Sequence, residues 1–95
     1  MRAKITGIKE HRSKWGGIFW HVYFKSDQGE SWLTNVFPTF KGKPVRNFAR
    51  WRKILALWAD RYTLRGREIW LTDLNPKDRK KHLIDADSLF SLKLI

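Results

Sequence analysis

The clearest pattern of apolar and polar positions lies between Gly17 and Lys25, in the run Ile18-Phe19-Trp20-His21-Val22-Tyr23-Phe24-Lys25. Almost every residue is β-branched or aromatic, the types that fit a pleated, half-buried surface. Side chains alternate across a strand, so one face carries Ile18, Trp20, Val22 and Phe24 and the other Phe19, His21, Tyr23 and Lys25. The first set is expected to face a core. The second mixes aromatic, polar and cationic groups, which suits a surface on which bases stack beside a phosphate. A strand buried on both sides, with Lys25 at its wet end, would give the same alternation.

The same reasoning orders the rest of the chain. Residues 2–10 read as a first strand in which Ala3 and Ile5 share a face and Ile8 falls out of phase after Gly7. A glycine at such a slip predicts a β-bulge or sharp bend. Residues 11–17 form a basic loop tipped by Trp15, and Ser26-Asp27-Gln28-Gly29 predicts a hairpin turn with Gly29 free to take positive φ. A third strand spans 30–37, with Trp32, Thr34 and Val36 on one face and Ser31, Leu33, Asn35 and Phe37 on the other. These two faces are too alike to orient it. Residues 39–46 form a linker, and Asn47 is the expected N-cap of a helix over about 48–60. Phe48, Trp51, Leu55 and Trp58, with Ile54 beside them, make its core-facing stripe. β character resumes over 62–73, a basic connector follows over 74–82, and Leu83-Ile84 begins a short strand. Asp85 to Ser88 turns the chain into a final strand, 89–95. No internal repeat interrupts this order.

Composition narrows the class. The chain has 95 residues, 42% hydrophobic and 31% charged, which is one folded domain, 1–95, with a single core. With no cysteine there is neither a disulfide framework nor a thiolate metal site. No apolar run is long enough to span a membrane, and the first residues lack a signal peptide's apolar region. An intracellular, cytoplasmic protein is the expectation. Charge changes the picture most: 20 Lys and Arg against nine Asp and Glu give +11. Such a field draws polyanions, of which nucleic acid is the most abundant. An acidic protein partner or membrane surface would also answer to it.

The order β-β-β-α-β-β, with the slip at Gly7, the turn at 26–29, the helix at 48–60 and the loop at 74–82, resembles the OB-fold, a five-stranded Greek-key barrel. Small phage and bacterial single-stranded-DNA-binding proteins are similar in this general way. The likeness covers nearly the whole chain and is one of topology and size, without a diagnostic motif. It implies binding across strands two and three, flanked by the loops joining strands one to two and four to five. On this sequence the strand face is Phe19, His21, Tyr23 and Lys25. The first loop supplies Arg12, Lys14 and Trp15, with His11, and the second Lys77, Arg79, Lys80 and Lys81, with His82. A further basic run from Lys41 through Arg46 to Arg50, Arg52 and Lys53 reads equally as a phosphate track or a solvated helix face.

Catalysis lacks its parts. Asp85 and Asp87 pair two carboxylates beside a basic loop, but Asp is common in turns for its own hydrogen bonds. The histidines at 11, 21 and 82 have no ligand spacing, and neither a P-loop nor a nucleophile elbow occurs. The sequence therefore predicts a non-enzymatic, cofactor-free binder of single-stranded DNA or RNA with weak sequence preference, DNA being favoured, monomeric or dimeric. The rival is a basic module docking on an acidic partner among replication or phage proteins. A small nuclease is a distant third.

Overall fold

A computed structural model describes residues 1–14, 17–40, 43–44, 47–60, 68–88 and 90–94. It is mostly β with a single helix among these residues. The three long strands are β1 (Ala3–Arg12), β2 (Ile18–Ser26) and β3 (Ser31–Val36). A two-residue ribbon, β4 (Thr39–Phe40) with β5 (Lys43–Pro44), precedes helix α1 (Phe48–Ala59). The remaining strands are β6 (Ile69–Thr72), β7 (Pro76–Asp78), β8 (Leu83–Ile84) and β9 (Ser91–Leu94). Seven of them join one sheet in the order β7-β8-β3-β2-β1-β6-β9, curled into a half-barrel.

The sheet thus has seven strands rather than the expected five. The difference arises after the helix. The connector at 74–82 contains β7, and the short stretch expected at Leu83-Ile84 joins the sheet as a strand of its own, β8, set apart from the final strand β9 by the expected turn at 85–88. That turn is held by the Asp85 carboxylate, which accepts the Asp87 N–H at 3.0 Å, and by the Ser88 hydroxyl donating to the Asp85 carbonyl at 2.8 Å. β8 pairs parallel with β3 through Leu33 and Leu83, while β9 pairs antiparallel with β6.

Register explains the facing of the long strands. Ile5 pairs with Phe24 and Gly7 with Tyr23, so Thr6 is the extra residue of a bulge. Before it Ala3 and Ile5 face the core; after it Ile8, paired with Val22, does. The slip predicted at Gly7 is therefore present. On β2, Val22 and Phe24 are fully buried and Trp20 is half-buried, whereas Ile18, the first residue of the expected core face, is 40% exposed. On β3 it is Trp32, Thr34 and Val36 that turn inward. The hairpin turn forms as expected, with Gly29 at φ +87° and the Glu30 N–H bonded to Ser26 Oγ at 3.0 Å.

The helix covers the concave side of the sheet through Trp51 and Ile54, both buried, with Phe48, Leu57 and Trp58 packed at the margin. Leu55, expected on the stripe, is only half-buried, and Ile54 takes the central place one residue earlier. A helical turn of 3.6 residues leaves either position compatible with the spacing. Trp51 packs between Phe24, at 6.2 Å, and Phe90, at 4.9 Å between ring centroids. Its indole N–H donates to the Ala86 carbonyl at 2.8 Å. Asn47 does occupy the N-cap position, but its side chain makes no capping bond and donates instead to the Ser88 carbonyl. Arg50 likewise donates to the Phe90 carbonyl. Helix and 86–90 segment are thus strapped together.

Candidate nucleic-acid interface

The face of β1–β3 turned away from the core is built by the period of two together with the Thr6 bulge. Phe19, His21, Tyr23 and Lys25 project from β2, as the sequence predicts. Register adds Lys9 opposite His21, His11 opposite Phe19, and from β3 Ser31, Leu33 and Asn35. Phe37, just past β3 and 37% exposed, stacks on Phe19 with centroids 4.8 Å apart and planes 16° from parallel. The rings form a continuous strip. Phe19 lies 5.6 Å from His11 and 5.3 Å from His21, the two imidazoles are 4.1 Å apart, and His21 is 6.3 Å from Tyr23. At about 3.4 Å per residue, the strip from Phe19 to Lys25 is roughly 20 Å long.

No Asp or Glu lies on this face of β1, β2 or β3. Glu10, the one acid in β1, pairs with Trp20 and so projects to the opposite side. The cations on the face are Lys4, Lys9 and Lys25, and of these Lys4 pairs with Glu68 at 3.0 Å. The bond from Lys4, then one from the Trp70 indole, holds the exposed Glu68 carboxyl below its ordinary pKa. Burial, and next the nearby His11, lower the pKa of His21 below its ordinary 6.5. Beside Tyr23 the surface dips into a depression of about 440 Å³ walled by Thr6, Gly7, Lys9 and Ser31. A Cβ at Gly7 would stand 3.8 Å from Tyr23 Cδ2, so the glycine keeps the floor beside that ring low.

One basic loop sits at the Phe19 end of the strip, and the other basic segment lies to its side, three strands away across the sheet. Lys14, exposed, follows β1 at the Phe19 end, where Ser13 N–H bonds the Gly17 carbonyl at 2.7 Å to close the loop. Trp15 falls outside the described residues. Arg12 pairs with Ile18 and therefore projects to the side away from His11, so register separates it from the strip. Lys77, Arg79, Lys80 and Lys81, all exposed, lie on β7 and the turn after it. Three inter-strand steps of about 4.8 Å put β7 roughly 14 Å from β2. Asp78 shapes that turn, its Oδ1 accepting the backbone N–H groups of Lys80 at 3.0 Å and Lys81 at 3.2 Å. His82 closes it at φ 52°, stacked on Trp32 at 4.7 Å. Its Nδ1 lies 2.9 Å from the Ser31 carbonyl, which can only accept, so the proton is on Nδ1.

Sequence reasoning missed Lys9, His11 and Phe37 as members of the face. The signal for the first two was present: once Gly7 shifts the phase, Lys9 and His11 fall opposite to Ile8. The basic run after Glu10 obscured it by reading as loop. Of the second basic run, Arg50, Arg52 and Lys53 are exposed on α1, and Lys41 and Arg46 lie outside the described residues. Among the described residues no group of three or more His, Asp or Glu could hold a metal ion, and no helix is long and apolar enough to cross a membrane. No protein-family model, curated protein or solved structure matches the chain.

Proposed function

We propose that this protein binds single-stranded nucleic acid, DNA in the first instance, along the outer face of β1–β3 and without catalysis. The observation that carries the reading is an acid-free strip of five aromatic or imidazole rings, with a lysine-bearing loop at its Phe19 end and a second basic segment three strands to its side, in a chain of net charge +11. Unstacked bases lie on such rings, at about 1–3 kcal/mol each, while Lys and Arg displace counterions from the phosphates. Phe19, His21, Tyr23 and Phe37 are the stacking groups in this proposal, and Lys9, Lys25, Lys14 and the 77–81 cations the phosphate contacts.

An OB-like arrangement is part of the same proposal. Its support is connectivity: β2 lies between β1 and β3, β1 is shared antiparallel by β2 and β6, and β8 runs parallel to β3. In that arrangement β8 and β9 together take the place of a fifth strand, broken at 85–88. The alternative, a module docking on an acidic protein of a replication or phage assembly, uses the same cations. Titration with single-stranded DNA, single-stranded RNA and duplex DNA separates the two. Binding of any single strand over duplex supports the proposal, and indifference to all three oligonucleotides overturns it.

A further inference from the structure

His11 and His21 come from adjacent strands and meet diagonally, with ring centroids 4.1 Å apart and planes 41° from parallel. Phe19 lies against both, and Tyr23 borders His21 on the far side. The Nε2 of His11 is buried and has no hydrogen-bond partner. Two imidazoles in contact repel when both are charged, and burial disfavours the charged form further. The lowered pKa of His21 has these two causes, in the order burial and then His11.

A counter-charge would reverse this, but among the described residues β1, β2 and β3 supply none on this face. From β1 the ionisable group facing the pair is Lys9, opposite His21; from β2 they are Tyr23 and Lys25. β3 presents only Asn35 and Leu33, with Phe37 beyond its end, and the loop after β1 adds Lys14. Among the described residues of β1–β3 every charge on this face is positive, and the Glu68 carboxylate, which meets the face at Lys4, is already engaged by that lysine and by the Trp70 indole. A phosphodiester laid over the strip would bring an anion to the pair that these strands do not.

We propose that the His11–His21 pair takes up protons from solvent when a single strand occupies the face, so that binding tightens as pH falls. The inference rests on the reading of this face as a nucleic-acid interface. Lys and Arg remain charged throughout the window in which histidine titrates, so salt contacts alone give no such dependence.

The test is fluorescence anisotropy of a labelled oligothymidylate with the full chain, at constant ionic strength, from about pH 8 down to about pH 5.5, where histidine changes charge. Each proton taken up on binding makes affinity rise by up to about tenfold per pH unit between the free and bound pKa values. The rise should vanish in the double variant His11→Gln/His21→Gln and persist in His82→Gln, the remaining histidine. Should the double variant fail to fold, calorimetry of the native chain in buffers of different ionisation enthalpy decides, because it counts the protons directly. Proton uptake on binding supports the proposal. Binding that is firm but flat with pH, or a dependence that follows His82, overturns it and leaves the interface standing. An absence of binding at every pH overturns both.

Discussion

Val22 and Tyr23 are neighbours on β2 that face opposite ways, and substituting each by alanine separates fold from function. Val22 is fully buried on the core face of β2. Val22→Ala removes two buried methyl groups, at about 0.8 kcal/mol each, and leaves a small cavity, for a total of about 2–3 kcal/mol. In a domain of this size that lowers the melting temperature by roughly 8–24 °C. Tyr23 is half-buried on the outer face, edged by His21 and the depression beside Gly7. Tyr23→Ala should cost one stacked base, about 1–3 kcal/mol of binding, which is roughly 5- to 150-fold in Kd. Its salt dependence should not change, since no cation is lost. Anisotropy titrations with a labelled single strand and thermal melts of the same samples read both quantities. Retained affinity in folded Val22→Ala with weakened binding in Tyr23→Ala fits the assignment. A folded Tyr23→Ala variant with native affinity would falsify the stacking role, and loss of binding by a still-folded Val22→Ala would mean that the concave side is the binding side.

Affinity should fall steeply with salt, each neutralised phosphate contributing about −0.7 to the slope of log K on log salt for single strands; Lys80→Ala/Lys81→Ala should flatten that slope, and a native slope in the variant would remove those residues from the contact set. Trp51→Ala should cost about 3–5 kcal/mol for the lost ring and about 1 kcal/mol more for the unpaired Ala86 carbonyl, with Leu55→Ala milder; chemical denaturation that ranks them the other way would displace Trp51 from the centre of the core. Because His21 has a folded pKa below 6.5, the unfolded chain binds more protons in the window just beneath that value. Stability is therefore full above it and declines as pH falls through it, and His21→Gln should flatten the decline in melts taken across that range.

The facing of β2 was legible because six of the eight residues from Ile18 to Lys25 are β-branched or aromatic and the two polar ones, His21 and Lys25, fall on the same face. The bulge was legible because Gly7 marks a change of phase that Ile8 makes visible. Helix α1 announced itself by its aromatic spacing, although Ile54 and Leu55 are adjacent and only packing against Phe24 and Phe90 decides which of their neighbours goes deepest. Leu83-Ile84 was read as a short strand and forms β8, but the three residues of β7 carry no period at all and are a strand only because β8, seated on the edge of β3 at Leu83, offers them a partner. The orientation of β3 was hidden for a related reason: its two faces are alike in composition, and pairing with β2 is what turns Leu33 and Asn35 outward. Asn47 suits an N-cap, yet its amide serves a carbonyl 41 residues away, which local sequence does not encode. Membership of His11 and Phe37 in the ring strip likewise depends on neighbours across the sheet.

The three side chains that strap α1 to the 86–90 segment make the helix depend on chain that is synthesised after it. Asn47, Arg50 and Trp51 donate to carbonyls 41, 40 and 35 residues downstream. During synthesis the β1–β2–β3 meander can form as soon as Val36 has left the ribosome, since its pairings are local. The helix at that moment has no acceptor for its buried amide, guanidinium or indole donors, and Trp51 has no Phe90 to meet. The later-made segment is therefore what closes the hydrophobic interior: without residues 86–90 these three donors and the Trp51 ring lack the partners they have in the folded chain.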